Sequence, residues 1–448
     1  MGRERAPGGD LGGREDGRPP GGRTSGRHPG RRRRGRARRG AGCISRRGSV
    51  VTAKGVTETV AGSGGPLAGL RIVEVSAFVA APLAGLTLAQ LGAEVIRIDP
   101  LDGQMDFTRW PVTDSGESLF WSGLNKGKKS VTLDLRSPEG RKRALRLMTA
   151  PGDGTGIVLT NLSVDGWMSY ETLRALREDV ILVHLTGNAD GSNAVDYTVN
   201  PASGFATATG EGEVPVNHLL PAWDVTSGLH LATAILAAER VRKESGQGQQ
   251  VTVALSDVML SVVSALGYIA DVQVNGVSRP AQGNYLYGGF GKDFVTDDGR
   301  RIMVVAITDR QWRNLTTATG LAAQIDAVAG VIGADLSDEG GRYEAREIIA
   351  AVVGRWVAAR SYAEVATALD GSGVLWGTYR TFGELVRDDP RCSLENPLFT
   401  EVAHPGIGTI LTPRSPLRFS RTSVPPAAPS PVLGQHTAEV EGALRGQS

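Results

Sequence analysis

The chain of 448 residues is poor in cysteine, in aromatic residues and in long apolar runs. Its only two cysteines, Cys43 and Cys392, lie far apart in unlike contexts, which argues against a disulfide framework or a cysteine-based metal site and favours a cytoplasmic location. The six histidines are scattered without HExxH or similar spacing, so no metal is predicted. Since no run approaches the roughly 18 consecutive apolar residues of a membrane helix, we expect a soluble protein.

The net charge of +2 hides an uneven distribution along the chain. Residues 1–50 contain 15 arginines, no lysine and 4 acidic residues, a net charge of +11, whereas the remainder carries 34 basic and 43 acidic residues, a net charge of −9. The run RRRRGRARRG has the charge to contact nucleic-acid phosphates. Low apolar content, no helical periodicity and no signal-peptide pattern favour a disordered Arg/Gly-rich extension over residues 1–65.

Strand and helix patterns alternate from about Leu67 onward. LRIVEV (70–75) predicts a buried strand, residues 80–93 predict a helix with proline in its first turn, and EVIRID (94–99) predicts a second strand. Such a β-α-β unit requires parallel strands. The alternation continues with helices at 137–148 and 169–177 and strands at 130–135, 156–161, 180–187 and 249–255. We therefore predict a Rossmann-like α/β domain with a parallel sheet.

The alternation of strand and helix patterns ends near Asn284. FVTDDGRRIMVVAI (294–307) predicts a hairpin that turns at Asp-Asp-Gly, and helices are predicted around 309–319, 343–358 and 361–370, which together indicate a smaller α+β domain. The Pro-rich close predicts an extended segment that packs back on the first domain. The predicted organisation is a large domain over 66–220, linking helices and a strand over 221–284, the small domain over 285–385, and a return to the large domain over 386–443.

The start of the large domain argues against a dinucleotide cofactor. An acidic residue, Asp99, ends the second strand, as in NAD-binding domains. The loop between the first strand and helix reads SAFVAAP, however, and lacks the G-x-G-x-x-G glycines that let a pyrophosphate approach the backbone. No Walker A, G-x-S-x-G or kinase pattern is present either.

Six segments, taken in order, resemble the class III CoA-transferases, the CaiB/BaiF family, over nearly all of residues 67–443. They are GLRIVEVSAFVAAPLAGLTLAQLGAEVIRIDP, LFWSGLNKGKKSVTLDL, DYTVNPASG, DVTSGLHLATAILAAER, DDGRRIMVVAITDRQW and PVLGQHTAEV. The resemblance implies a two-domain chain in an interlocked homodimer, an acyl-CoA substrate that carries the coenzyme A, a carboxylate nucleophile, and neither a metal nor a tightly bound cofactor.

Four further segments narrow the activity that the resemblance implies. DFTRWPVT, VDYTVNP, VNHLLPAWD and GNYLYGGFGKDF point to intramolecular transfer of CoA from the C1 to the C4 carboxyl of mesaconyl-CoA. Intermolecular transfer to a free acid is the first alternative. Acyl-CoA racemisation is disfavoured because Val195 stands where racemases of this family have a catalytic histidine. Nucleic-acid binding by the Arg-rich extension is the last alternative.

Transfer of CoA between carboxylates needs a group that attacks a thioester and then leaves again, and an aspartate does both through an anhydride and an enzyme-bound thioester. Many relatives carry this aspartate in Gly-x-x-Asp-Gly-Pro-Pro, which is replaced here by TGEGEVPV, with Glu213 but no aspartate. Asp224 ranks first because it opens a helix whose positive end favours a carboxylate, and related racemases use an aspartate at this place. Asp196 ranks second and Glu213 third. An ordinary helix N-cap is the alternative role for Asp224.

Two further segments provide candidate CoA contacts. NKGKK (125–129) offers lysines to the CoA phosphates, with a solvated turn as the alternative. YGGFGKDF (287–294) resembles a loop that covers the reacting carboxylate in relatives, with a plain hairpin lead-in as the alternative. Pro100 and Trp167 replace arginines that contact CoA in relatives. The candidate contacts are Val79, Ala80, Arg109, Asn125, Lys126, Lys128, Asn161, Gly288, Gly289 and Gly291.

Overall fold

The computed structural model describes residues 64–445. The predicted Arg/Gly-rich extension therefore lies outside the described residues, except for its last two positions. Within the described part of the chain no single helix is long and apolar enough to cross a membrane, and two bent helix pairs meet that test by length and composition only.

The first half of the chain forms a sheet of six parallel strands in the order β3-β2-β1-β4-β5-β6. The predicted Rossmann-like α/β class is confirmed. Because the strand order reverses between β1 and β4, a crevice opens at the carboxyl ends of these two strands, where folds of this kind bind ligands. The strands are β1 (Arg71–Val75), β2 (Glu94–Asp99), β3 (Lys129–Thr132), β4 (Ile157–Thr160), β5 (Ile181–Thr186) and β6 (Gln250–Ala254).

Helices cover both faces of this sheet, because alternate residues of its strands point to opposite sides. Ile72 of β1 is buried under α1 and α7, with Leu88 and Leu231, whereas Val73 is buried on the other face with Leu147 and Leu173 of α3 and α4. The helices are α1 (Ala80–Gln90), α2 (Leu119–Asn125), α3 (Pro138–Met148), α4 (Tyr170–Leu176), α5 (Asp196–Ala202), α6 (Phe205–Thr209), α7 (Ala222–Ser245), α8 (Leu255–Ala265) and α9 (Tyr268–Asn275), with a 3-10 turn at Gly166–Met168.

A second hydrophobic core forms around an antiparallel sheet, β7-β8-β9. The hairpin β7 (Phe290–Val295) and β8 (Arg301–Ala306) confirms the predicted turn at Asp-Asp-Gly, and β9 (Leu375–Thr378) adds a strand that the sequence did not reveal. All three predicted helices are present. The helices are α10 (Asp309–Thr319), α11 (Ala322–Ile332), α12 (Glu339–Glu344), α13 (Arg346–Ala358), α14 (Tyr362–Leu369) and α15 (Phe382–Asp388), followed by a 3-10 turn at Pro390–Cys392. The exact domain boundaries stay a prediction.

The last part of the chain contacts the large sheet. After the hairpin β10 (Phe399–His404) and β11 (Gly408–Pro413), an extended segment leads to α16 (Thr437–Arg445). Gly127 N–H donates to the Pro429 carbonyl at 2.9 Å, and His436 N–H donates to the Ser130 carbonyl at 2.9 Å. These bonds place the end of the chain beside β3 and the NKGKK turn.

Helices α1 and α7 approach each other closely at Gly228. A Cβ atom on Gly228 would lie 2.8 Å from the Ala80 carbonyl oxygen, so a larger residue here would push the helices apart. Since α7 precedes the parallel strand β6, its N-terminus lies at the carboxyl edge of the sheet. The start of α7 is thereby brought next to the loop between β1 and α1.

Candidate active site

The loop that follows β1 is held in an unusual backbone conformation. Phe78 has φ of +64°, a region that bulky residues rarely adopt. Asp106 Oδ2 accepts the Phe78 N–H at 3.0 Å. Asn161, at the end of β4, accepts the Ala77 N–H at 3.0 Å and donates to the Ala77 carbonyl at 2.8 Å. The loop is therefore fixed from two neighbouring segments, and the Phe78 side chain is exposed.

A buried cluster of charges supports this loop from below. The Arg97 guanidinium is 1% exposed and contacts carboxylate oxygens of Asp99 at 3.0 Å, of Asp106 at 3.4 Å and of Glu74 at 3.4 Å. Burial raises the pKa of Asp106, and the Arg97 charge opposes that rise. Removing one partner from such a cluster would leave an uncompensated buried charge. The cluster thus ties Phe78, through Asp106, to the interior of the sheet.

Lys128 and Asn125, two of the predicted CoA contacts, belong to this buried cluster. The Lys128 ammonium donates to Glu74 at 3.0 Å, to the Pro82 carbonyl at 2.8 Å and to Asn125 Oδ1 at 3.0 Å, which uses all three of its donors. Burial lowers the Lys128 pKa to about 8, and Glu74 opposes that fall. The structure therefore gives Lys128 and Asn125 an internal, supporting position instead of one that faces a ligand.

The two remaining lysines of the NKGKK turn differ in their partners. Lys129 pairs with Glu94 at 2.7 Å and with Glu439 at 2.8 Å. Lys126 is half-buried and has no acidic partner among the described residues, and burial lowers its pKa. Its charge also lowers the pKa of the neighbouring His404. Of these lysines, Lys126 is the one available to an anion.

The carboxylate of Asp196 caps the N-terminus of α7. Asp196 is 2% exposed, and its Oδ2 accepts the backbone N–H of Trp223 at 2.7 Å and that of Asp224 at 3.1 Å. The helix begins at Ala222, earlier than the sequence pattern indicated, with Pro221 at the N-cap position. Asp224 therefore lies inside the first turn, and the alternative that it serves as the N-cap is wrong.

The carboxylate of Asp224 is left without a hydrogen-bond partner in residues 64–445, although the side chain is half-buried. Burial raises its pKa to about 6, the negative charge of Asp196 adds to the rise, and the positive charge of Arg109 opposes it. Such a carboxylate is still mostly ionised at pH 7, yet it is more basic than an aspartate in water. This combination suits a nucleophile, which must be charged and reactive at the same time.

Arg109 is the cation that acts on Asp224. Its guanidinium lies over the Phe78 ring at 5.6 Å and over the Phe120 ring at 5.1 Å, and the side chain is exposed. No acidic side chain of the described residues forms an ion pair with it. The structure thus brings Arg109, Asp196 and Asp224 together at the carboxyl edge of the sheet. Val79 and Ala80 begin α1 in the adjoining loop, and no side chain caps that helix.

The glycine-rich segment and Glu213 lie apart from Asp224 within the described chain. Gly288 has φ of +74°, and Leu286 N–H donates to the Gly291 carbonyl at 2.9 Å, which closes a tight turn that leads through Gly289 into β7. No hydrogen bond or ring contact in residues 64–445 joins this turn to Asp224. Glu213 is exposed in the stretch between α6 and α7. Its side chain is therefore accessible to solvent, and its third rank among the candidate nucleophiles stays a prediction.

Three supporting residues escaped the sequence analysis: Phe78, Arg97 and Asp106. Arg97 left a usable signal, because a charged residue interrupts the buried strand EVIRID and such a residue needs buried partners. Phe78 gave no such signal in the sequence, because glycine is the residue expected at a positive φ. No group of His, Cys, Asp or Glu side chains in the described part of the chain is arranged to hold a metal ion.

Comparison with known proteins shows the family of this chain. The family model described as CoA-transferase family III matches residues 67–437. This chain belongs to that family. The resemblance noted in the sequence is therefore confirmed, and the protein is an enzyme of the CoA-transferase class.

Individual relatives cover nearly the whole described chain. The 2-methylfumaryl-CoA isomerase of Chloroflexus aurantiacus is 50% identical over 379 residues, which are 84% of this chain and 93% of that protein. The succinate–glutarate CoA-transferase of Agrobacterium fabrum is 30% identical and covers 84% of this chain and 94% of its own length. Among solved structures, a CaiB/BaiF family protein from Brucella suis superposes with a TM-score of 0.70 at 25% identity, covering 85% of this chain and all of that one.

The raised pKa of Asp224 predicts the effect of Asp224→Asn on stability. The ionised carboxylate is less favourable in the folded chain than in the unfolded one, so it destabilises the fold above the ordinary aspartate pKa of 3.8. A rise to about 6 corresponds to roughly 3 kcal/mol, and lost attraction to the α7 dipole offsets up to roughly 1 kcal/mol. Asp224→Asn should therefore raise the free energy of unfolding by about 2 kcal/mol at pH 7.

Denaturant unfolding measured between pH 4 and pH 8 would check this. The gain should shrink as the pH falls from 6 to 4, because protonation makes the wild-type side chain neutral as well. Asp257→Asn is the matched control, since Asp257 is the third residue of α8, as Asp224 is of α7, but is exposed. Equal effects of the two substitutions, or a loss of stability in Asp224→Asn at pH 7, would contradict the burial-raised pKa.

Proposed function

We propose that this protein is an intramolecular CoA transferase that moves CoA from the C1 to the C4 carboxyl of mesaconyl-CoA, converting 2-methylfumaryl-CoA to 3-methylfumaryl-CoA. The observation that carries the chemistry is the unpaired, half-buried carboxylate of Asp224 at the start of α7. The acyl group is inferred from the 50% identical 2-methylfumaryl-CoA isomerase, which matches this chain over nearly its full length.

Asp224 carries the acyl group in four steps. A carboxylate oxygen attacks the C1 thioester carbon, the C–S bond breaks, and CoA thiolate leaves behind a mixed anhydride. The thiolate attacks the Asp224 carbonyl carbon, which gives an aspartyl-CoA thioester and free mesaconate. The C4 carboxylate then attacks this thioester and expels the thiolate again. Finally, thiolate attack at C4 releases the product and restores Asp224, so that no proton or co-reactant is consumed.

The surroundings of Asp224 support these steps. Asp196 holds the first turn of α7 by its backbone, so the Asp224 side chain stays free to react. Anhydride and thioester intermediates hydrolyse readily, and a half-buried position limits access of water. Arg109 partly offsets the repulsion between Asp196 and Asp224, which keeps the nucleophile ionised near pH 7.

The proposed CoA site follows the carboxyl edge of the sheet. Lys126, which has no acidic partner in the described residues, would contact a CoA phosphate as a point charge. Val79 and Ala80 would present the uncapped start of α1 to the thioester region. Asn161 would act mainly by holding the loop after β1, and Asn125 and Lys128 would act from beneath it. We propose no metal and no tightly bound cofactor, and we place the enzyme in the cytoplasm on the cysteine usage of the sequence.

Intermolecular transfer is the second candidate, because the 30% identical succinate–glutarate CoA-transferase covers the chain to the same extent. Purified protein incubated with mesaconyl-C1-CoA and no free acid separates the two. The intramolecular enzyme should form the C4 isomer, detected by chromatography, and Asp224→Asn should reduce turnover by at least about 10³-fold because an amide cannot form the anhydride. Asp257→Asn should stay active. Turnover that requires an added carboxylic acid would favour intermolecular transfer.

We also propose that the active species is a homodimer. Large apolar residues are exposed just before α7, with Val214 at 67%, Leu219 at 78% and Leu220 at 60%, more than a stable monomer normally leaves together near one site. No hydrogen bond or ring contact joins the Gly288 turn to Asp224 inside the described chain, and we propose that the Gly288 turn of a second subunit approaches Asp224. Light scattering should give twice the chain mass, and Leu219→Asp should weaken both association and activity. Full activity in a monomer would contradict this proposal.

A further inference from the structure

We propose that Arg109 binds the free carboxylate of the acyl group and thereby selects dicarboxylic acyl-CoA substrates. This inference rests on the function proposed above. It assigns Arg109 a different ligand from the one expected from the sequence, where Arg109 was a contact of CoA itself. The substrate class would accordingly be acyl-CoAs with a second carboxylate close to the thioester.

The first argument is the way in which the guanidinium is held. Phe78 and Phe120 lie under its charge, at 5.6 Å and 5.1 Å from the ring centres. The Arg109 carbonyl accepts the Ser118 hydroxyl at 2.5 Å, which fixes the backbone at this point. Aromatic faces attract a cation without using its N–H donors, so the guanidinium fork stays available for a ligand. Arg109 is thus held in place while its side-chain N–H groups form no hydrogen bond with residues 64–445.

The second argument is that no acidic side chain of residues 64–445 pairs with Arg109, although its charge acts on Asp224. Asp106 lies three residues before Arg109, but its two carboxylate oxygens already accept hydrogen bonds. One accepts the Phe78 N–H and the other accepts the Arg97 guanidinium. One carboxylate oxygen of Asp196 accepts hydrogen bonds from the backbone of α7, and the residue is 2% exposed. Among the described residues no acidic side chain forms an ion pair with Arg109. A carboxylate from a ligand would complete the site, and a guanidinium binds it with two parallel hydrogen bonds.

The third argument comes from the reaction. After the second step the enzyme holds free mesaconate beside an aspartyl thioester, and the dianion must turn so that its C4 carboxylate replaces C1 at Asp224. A cation near Asp224 would hold one carboxylate while the other reacts. Arg109 is the cation whose charge reaches Asp224 in this structure. Binding of one carboxylate by Arg109 would slow the release of mesaconate. The CoA would then return to the same mesaconate molecule that had carried it.

The test compares two acyl-CoAs that differ only in the distal group. Mesaconyl-C1-CoA carries the carboxylate, and 2-methylcrotonyl-CoA (E isomer) replaces it with a smaller, uncharged methyl group at the same position. Each is added to full-length enzyme with hydroxylamine, and the single-turnover rate of aspartyl hydroxamate formation is followed by intact-protein mass. Wild type should react with the mesaconyl thioester roughly 10- to 100-fold faster at subsaturating substrate, as expected for a charged hydrogen-bonded pair.

Arg109→Gln should remove most of this preference. At a pH well above the Asp224 pKa, where the nucleophile is ionised with or without the Arg109 charge, the rate with mesaconyl-C1-CoA should fall roughly 10- to 100-fold. The rate with 2-methylcrotonyl-CoA should fall much less, because that substrate loses only the effect of Arg109 on Asp224. Arg109→Lys, which keeps the charge but not the fork, should keep part of the preference. Arg360→Gln is the control, because Arg360 also stacks on an aromatic ring, Trp356 at 4.3 Å, but lies in the second core. Calorimetric affinity for free CoA should be unchanged in both glutamine variants.

Equal losses with the two thioesters, together with weaker binding of free CoA, would overturn the inference and return Arg109 to the CoA phosphates. A wild-type enzyme without preference for the carboxylate would also overturn it. Failure of the proposed function gives a different result: the carboxylate preference would persist in hydroxamate formation while no C4 isomer appears without an added acid.

Discussion

The site depends on two hydrogen bonds at the start of α7. In both, the carboxylate of Asp196 accepts a backbone N–H group of the helix. A helix start needs acceptors for its free N–H groups, and an acidic residue in the first turn often provides one itself. Here the carboxylate of Asp196 in α5 accepts the backbone N–H groups of Trp223 at 2.7 Å and of Asp224 at 3.1 Å. The side chain of Asp224 is therefore not needed to cap the helix. Burial raises the pKa of Asp224, and the same contact adds to that rise by bringing a second negative charge close to it.

The opposite wall of the site depends on a buried network of charges. Asp106 holds Phe78 at φ of +64°, Asn161 holds Ala77, and Arg97 ties Asp106 to the sheet. A positive φ in a phenylalanine costs of order 1 to 3 kcal/mol and persists only where the surroundings enforce it. The conformation turns the phenyl ring toward Arg109, so a backbone that a glycine would normally adopt serves here to position a cation.

Much of the fold could be predicted because it follows from short patterns in the chain. The six strands of the large sheet lie in short segments that contain β-branched residues, and β2 (Glu94–Asp99) has the bounds that the sequence indicated. The helix α10 (Asp309–Thr319) also agrees, helped by its Thr308 cap. The short helices α5 and α6 and the strand β9 were missed, since segments of four to seven residues carry little periodicity.

The site could be predicted only in part, because its decisive contacts join distant residues. The sequence ranked Asp224 first among the candidate nucleophiles but gave no sign of its contact with Asp196, which lies 28 residues earlier. Lys128 was predicted to contact CoA, with a solvated turn as the alternative, and its burial depends on Glu74, which is 54 residues away. Neither pairing leaves a local signal.

The central claim is that Asp224 forms the covalent bond to the acyl group. Hydroxylamine added during turnover of mesaconyl-C1-CoA, followed by peptide mass spectrometry, tests it most directly. The account predicts a hydroxamate on the peptide that contains Asp224 and no label in the Asp224→Asn enzyme. A label on Asp196 or Glu213, in an enzyme that still turns over with asparagine at position 224, would contradict it.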